Sequence, residues 1–217
     1  MTLALFDLDN TLLSGDSDHE WGDFLVRKKL VDKETYKEAN DEFHRQYHRG
    51  QLDIYEYCEF SFQPLTRHSM EELKVLHEEF MDTVIVPLIG AKAMGLVQWH
   101  RDQGHTLVVI TATNSFITKP IVTRFGIENL IATEVLVAGG RYCNAIDGTP
   151  CFHEGKVVRI KQWLDENGET LEGSFFYSDS HNDLPLMDIV ETAIAVDPDK
   201  EIAAIADKRD WKTISLR

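Results

Sequence analysis

The sequence predicts an α/β fold: a parallel sheet with helices on both faces and a helical unit inserted after the first strand. Three observations predict it. Short runs at residues 3–6, 106–111, 175–177 and 193–196 are apolar nearly throughout rather than alternating, as strands buried on both faces are. Segments of helical periodicity separate the last three of these runs, the βα alternation that builds a parallel sheet. Between the first run and the second, residues 18–85 are helical in pattern and contain no convincing strand.

Taken in order, the first run ends at Asp7, Asp9 and Thr11, and a Gly, Ser and Asp cluster at residues 14–18 marks a loop and a helix N-cap. Trp21, Phe24 and Leu25 share one helix face, and Tyr36, Ala39, Phe43 and Tyr47 share another. A third helix is expected over residues 53–62, stopped by Pro64. A fourth starts at Ser69, where Ser69 and Glu72 have the spacing of a capping box, and carries Leu73, Leu76 and Phe80. From Pro87 the character changes. A helix over 91–102 closes at Gly104, and the strand at 106–111 leads to a helix at 115–125. Residues 130–146 read as a hairpin about Gly139-Gly140. Gly155-Lys156 opens a helix with Val157, Ile160 and Leu164 on one side, and the strand at 175–177 ends in Ser178-Asp179. A short helix at 184–189, the strand at 193–196, a helix at 200–207 and a strand at 213–216 complete the chain. The expected division is a core of residues 1–15 and 86–217 and an inserted helical domain of residues 16–85.

The 217 residues, 43% of them apolar, suffice for a core with a substantial insertion. A net charge of −15 argues against nucleic acid and anionic membrane surfaces as partners, because both require Lys and Arg. A phosphate bound by this chain must be held locally, by a metal, a few cations and backbone amides. Cys58, Cys143 and Cys151 form no metal-type pair and are expected to be reduced, which suits a cytoplasmic protein. Asp7 and Asp9 interrupt any apolar N-terminal stretch, so no signal peptide is expected, and no segment approaches the roughly 18 continuous apolar residues of a membrane span, so none is expected.

Chemistry collects where strands end. Asp7 with Asp9, Thr111 with Thr113 and Asn114, and Asp179 with Asn182 and Asp183 all follow apolar runs. In a parallel sheet these carboxyl ends meet at one edge, where ligands bind. Like-charged carboxylates so close are tolerated when a cation lies between them or one holds a proton. An all-oxygen donor set suits Mg²⁺, and Lys156 supplies positive charge.

The ordered set of D-L-D-N-T after the first strand, Thr111, Lys156 and S-D-S-H-N-D after a late strand resembles the four motifs of the haloacid dehalogenase-type phosphatases. The resemblance spans the whole chain. It implies a Rossmann-like core and a helical cap of the kind inserted after the first motif (C1-type), and the pattern is most similar to the phosphoserine phosphatase-like group. It further implies a phosphomonoesterase in which Asp7 is the nucleophile, forming an aspartyl-phosphate, and Asp9 the general acid and then base. Thr111 and Lys156 would hold phosphoryl oxygens. Mg²⁺ would be bound by Asp7, the Asp9 carbonyl and Asp179, with Asn182 and Asp183 in or just behind the metal shell.

The substrate implied is a small phosphorylated metabolite, and the protein a monomer or homodimer. Asp16 falls where the phosphoserine phosphatases have an acidic residue for the substrate amine, and Asn114 is expected near substrate. Their cap arginine for the substrate carboxylate has no counterpart in residues 57–65, and their Ser-Gly-Gly-Phe is replaced by Thr111-Ala112-Thr113-Asn114. An unpaired buried carboxylate binds poorly, so the expected substrate is a phosphorylated amine without one. L-histidinol phosphate fits, with phosphoserine as the alternative should Arg45, Arg49 or Arg67 reach the site, and broad specificity as a third reading. Lesser candidates are the His44–His48 pair at i, i+4 as metal ligands, and His19, Glu20, His181 and the aromatics Tyr55, Tyr57, Phe60 and Phe62 as substrate contacts.

Overall fold

The computed structural model describes residues 2–217. Strand β1 (Leu3–Phe6) is followed by four helices, α1 (Ser17–Arg27), α2 (Lys33–His48), α3 (Ile54–Thr66) and α4 (Met70–Phe80). Then come α5 (Ala91–Asp102), β2 (Thr106–Asn114), α6 (Ser115–Arg124), and the hairpin of β3 (Asn129–Ala138) and β4 (Arg141–Asp147). The chain closes with α7 (Glu154–Asn167), β5 (Phe175–Ser178), α8 (Leu184–Met187), β6 (Thr192–Val196), α9 (Lys200–Arg209) and β7 (Lys212–Ile214). The strands form one sheet in the order β4-β3-β2-β1-β5-β6-β7. Every pairing is parallel except β3 with β4.

The unbroken apolar runs are explained by two cores, one on each face. Leu3, Leu5, Val108, Ile110 and Phe176 point to the side covered by Ile160 and Leu164 of α7 and Ile202 and Ala206 of α9. Ala4, Phe6, Val109, Tyr177 and Ile194 point the other way, against α5, α6 and the inserted helices. That second core runs without a break into Trp21, Phe24, Phe62, Leu65, Leu73 and Phe80. The helical insert is therefore seated on the sheet's own apolar face. Helix α3 also packs along β4, so the hairpin supports the insert.

Helix starts follow their caps. Asp16, Asp32 and Asp53 each accept two backbone N–H groups, and Ser69 with Glu72 forms the expected capping box. Two expectations change. Pro64 does not stop α3, which continues to Thr66 with the proline inside its last turn; a buried Pro64 beside the buried Leu65 is held there by packing. Strand β2 runs past Thr111 to Asn114, with a register shift against β3 between Ile110 and Asn114. Such an irregularity re-aims side chains at a strand end. Here Thr133 Oγ donates to the Ala112 carbonyl at 2.7 Å and accepts from Cys151 N at 3.0 Å, bracing the distortion.

The chain leaves β1 toward β2 on one side, while β5 lies on the other. The carboxyl end of β1 is thus a switch point, where a crevice opens. No helix among the described residues is long and apolar enough to cross a membrane.

Candidate active site

Asp7 is the first residue beyond β1, buried, with its N–H donated to the Tyr177 carbonyl of β5 at 2.9 Å. The chain then turns sharply. Asn10 has φ +56°, a left-handed conformation that Asn tolerates better than most residues, and its N–H donates to the Gly15 carbonyl at 2.9 Å. The turn returns Asp9 to the crevice. Its Oδ1 accepts from Ser17 N at 2.6 Å and its Oδ2 from the Thr113 hydroxyl at 2.8 Å.

Lys156 lies in the first turn of α7, 1% exposed. Its ammonium donates to Asp7 Oδ1 at 2.7 Å and lies 2.6 Å from Asp183 Oδ1. Gly155 allows this placement: a Cβ there would lie 2.1 Å from the Pro150 carbonyl oxygen. Asp183 Oδ2 accepts from the Ser178 hydroxyl at 2.7 Å. Asp179 Oδ1 accepts from the Thr11 hydroxyl at 3.0 Å, and Thr11 Oγ accepts in turn from Asp179 N at 3.1 Å.

Two buried carboxylates, Asp7 and Asp183, thus share one ammonium, and Asp179 lies close enough to both to feel their charge. Burial, partly offset by Lys156 and reinforced by Asp183, pushes Asp7 up to about 7. Burial, then the charges of Asp7 and Asp183, push Asp179 well above the usual carboxylate range. Burial and the nearby Asp16 push Asp9 up to about 7, a value suited to giving and taking a proton near neutrality. Lys156 is raised well above its ordinary value, because the attraction of Asp183 and Asp7 outweighs its burial.

The donor set fits a hard divalent cation. It is all oxygen, its negative charge exceeds the positive charge beside it, and the buried Asn182 Oδ1 has no partner. The Asn182 amide donates to the Tyr47 carbonyl at 3.1 Å, joining this loop to α2.

Above the carboxylates is a cavity of about 590 Å³ including its mouth. Asp7, Asp9, Thr111 and Thr113 form its floor. Asp16, Asp18, His19, Asn40, Phe43, His44, Tyr47 and Tyr57 of the inserted helices line its walls. No Arg or Lys is among the lining residues. Asp16 Oδ1 caps α1, while its Oδ2 meets His44 Nδ1 at 3.2 Å. Burial raises Asp16, but the hydrogen bond and charge of His44 outweigh it and leave the carboxyl below its ordinary value. The same contact raises His44.

Asn114 is placed elsewhere than expected. It is buried at the start of α6, accepts from Ile117 N at 3.2 Å and does not line the cavity. A strand that runs straight into a helix leaves free N–H groups, and Asn114 serves as their cap. The His44–His48 pair meets through Nε2 atoms at 3.1 Å, with the other His44 nitrogen on Asp16. His19, Asp23 and Asp41 offer ligand atoms within 4.8 Å of one another. Lys37, however, already bonds Asp23 at 3.2 Å and Asp41 at 3.3 Å. His181 is held by Asp199 at 2.6 Å. Tyr57 and His19 line the cavity; Glu20, Tyr55, Phe60 and Phe62 do not. Thr113 and Ser17, which orient Asp9, are additions to the expected set. The alternation Thr111, Thr113 along an extended chain was the signal for the first.

The family profile described as haloacid dehalogenase-like hydrolase matches residues 4–188. The chain belongs to this family. It is a phosphoric monoester hydrolase. It is 44% identical to a histidinol-phosphatase of Neisseria meningitidis serogroup C over 219 aligned positions, 99% of each chain. A crystal structure of a protein of unknown function from Bordetella pertussis Tohama I superposes with a TM-score of 0.94 at 44% identity, over 100% of both chains. A structure of a phospho-aspartyl intermediate analogue of phosphoserine phosphatase superposes with a TM-score of 0.71 at 15% identity, over 100% of this chain and 93% of that one. The last shares the fold.

Proposed function

We propose that this hydrolase is a Mg²⁺-dependent phosphomonoesterase that cleaves L-histidinol phosphate to histidinol and phosphate through an aspartyl-phosphate. One observation carries the substrate: a cavity wall with Asp16 and Asp18, aromatic faces and no Arg or Lys. Such a wall favours an amine and a flat ring and offers a substrate carboxylate no guanidinium or ammonium. Arg45 is engaged by Glu42 on the same helix, and Arg67 is exposed; neither they nor Arg49 line the cavity. The full-length relative that is a histidinol-phosphatase supports the same reading.

In this mechanism an Asp7 carboxylate oxygen attacks phosphorus, and the bond to the substrate oxygen breaks. Asp9, held by Ser17 N and the Thr113 hydroxyl, gives its proton to the leaving alkoxide. It then takes a proton from the water that attacks the aspartyl-phosphate, releasing phosphate and freeing Asp7. Lys156 and the Thr111 hydroxyl stabilise charge on the phosphoryl oxygens. Asp7, Asp179 and the Asp9 carbonyl would hold Mg²⁺, with Asn182 and Asp183 around it. When bound, the ion would lower the carboxylate pKa values and neutralise phosphate charge, so that a weak nucleophile can approach. Residues 16–85 act as a cap over a core of residues 1–15 and 86–217, excluding water during phosphoryl transfer.

The test is phosphate release with Mg²⁺ from L-histidinol phosphate, L-phosphoserine and p-nitrophenyl phosphate. The expected preference for L-histidinol phosphate is at least about tenfold in kcat/KM, ~1.4 kcal/mol. A preference for phosphoserine refutes the substrate. Turnover that persists after EDTA treatment refutes the metal requirement.

A further inference from the structure

The carboxylates around the cavity differ in what holds them. Asp7 has the Lys156 ammonium at 2.7 Å. Asp9 has a backbone amide and a hydroxyl. Asp16 has two backbone amides and His44. Outside the lining, Asp41 has His19 at 2.9 Å and Lys37 at 3.3 Å. Asp18 lines the cavity, and among the described residues it forms no ion pair. Its carboxyl accepts a hydrogen bond from the Tyr57 hydroxyl, and Tyr36 and Cys58 are close enough to feel its charge. Burial, then the charge of Asp16, pushes its carboxyl well above the usual range. The Tyr57 phenol is a neutral donor, so the carboxyl sits in the cavity wall with no cation opposite it until a ligand supplies an N–H.

The walls beside it are aromatic. Phe43 and Tyr57 both line the cavity, their rings 5.3 Å apart and inclined at 64°. The nearby histidines are engaged, His19 with Asp41 and His44 with Asp16 and His48. A carboxylate without a basic partner beside two ring faces is complementary to a flat nitrogen heterocycle. The rings pack its faces, and the carboxylate accepts from its edge.

We propose that Asp18 is a specificity-determining residue of this enzyme, accepting a ring N–H from the heterocycle of the substrate while Asp16 meets its amine. The proposal rests on the substrate reading above and adds the group that reads the ring. Asp16 alone would accept any amino-alcohol phosphate; Asp18 makes the ring nitrogen count. A site built to bond an N–H discriminates strongly against an analogue that lacks it, because its polar group is then left unpaired.

The experiment compares L-histidinol phosphate with L-phenylalaninol phosphate, which has the same amino-alcohol phosphate and a ring without nitrogen. The wild-type kcat/KM ratio is expected to favour the imidazole by at least about tenfold. In Asp18→Leu, with folding checked by its thermal transition, the ratio is expected to fall at least about tenfold, chiefly through KM for L-histidinol phosphate. A ratio unchanged in the variant, or a loss shared equally by both substrates, overturns the proposal. So does wild-type enzyme that treats the two rings alike, a result that needs no variant. Preference of the wild type for L-phosphoserine overturns the substrate reading and this proposal with it. Preference for L-histidinol phosphate with the ring ratio retained in Asp18→Leu overturns this proposal alone.

Discussion

Replacing Lys156 with methionine removes the ammonium that lies 2.7 Å from Asp7 and 2.6 Å from Asp183. Methionine preserves the length of the stem and its packing, so the change isolates charge. Both carboxylates are at most 5% exposed in their side chains, and solvent cannot replace the lost partner. Breaking a buried pair by removing one member costs about 3–5 kcal/mol. For a chain of this length each kcal/mol moves the melting temperature by about 2–4 °C, so the expected loss is about 6–20 °C. The assay is thermal unfolding of Lys156→Met and wild type in EDTA, from pH 5 to pH 8. The sign of the pH dependence follows from Asp7, whose folded value of about 7 lies above its ordinary value of 3.8. A carboxyl raised on folding costs stability as pH rises, and without Lys156 it is raised further. The deficit of the variant is therefore largest at pH 8 and shrinks toward pH 5. Asp183→Asn in the Lys156→Met background should recover part of it, since it removes one of the two unpaired charges. A melting temperature within about 2 °C of wild type at pH 8 would refute the reasoning, because it would mean that these carboxylates do not depend on Lys156.

The remaining predictions concern single groups. Asp7→Asn is expected to abolish phosphate release while leaving the circular dichroism spectrum unchanged; retained turnover in a pure preparation removes Asp7 as nucleophile. His100 is fully buried, its ring nitrogens 2.8 Å from the Tyr177 hydroxyl and 2.7 Å from His105 Nδ1, and burial holds it down at about 4. Protonation then favours the unfolded chain, so stability should fall between pH 6.5 and pH 4, by on the order of 2 kcal/mol at pH 5. Denaturant melts of His100→Gln should lack that part of the acid loss, and parallel curves for the two proteins would count against it. Asn114→Ala is expected to cost ~1 kcal/mol by removing the cap of α6. Asn114→Ser should keep both stability and kcat/KM; a selective rise in KM for that variant would return Asn114 to the substrate.

Much of the site was legible because it is local to strand ends. Asp7, Asp9, Thr111, Asp179 and Asp183 could be named from short apolar runs that stop at polar residues, since a parallel sheet gathers such ends at one edge, and Lys156 from its place at the start of a helix and from the family resemblance. Expectation and structure part where packing outweighs local chemistry. Pro64 was expected to end α3, but the helix continues because the surrounding residues bury the proline and its neighbour. Asn114 is expected near substrate as one of the polar residues at the end of β2. The β2 irregularity instead carries it to the first residue position that caps α6.

The sequence by itself determined the order of the elements, the two-faced burial of the strands and the acidic character of the strand ends. These follow from the spacing of apolar residues and from the rarity of charges buried without partners. Only the tertiary structure decided which charges are compensated. Lys156 is 149 residues from Asp7, His44 reaches Asp16 from another helix, and Asp18 is left beside Tyr57 with no basic partner. Pairings of that kind depend on how helices cross and which way side chains leave them, and no local pattern records either.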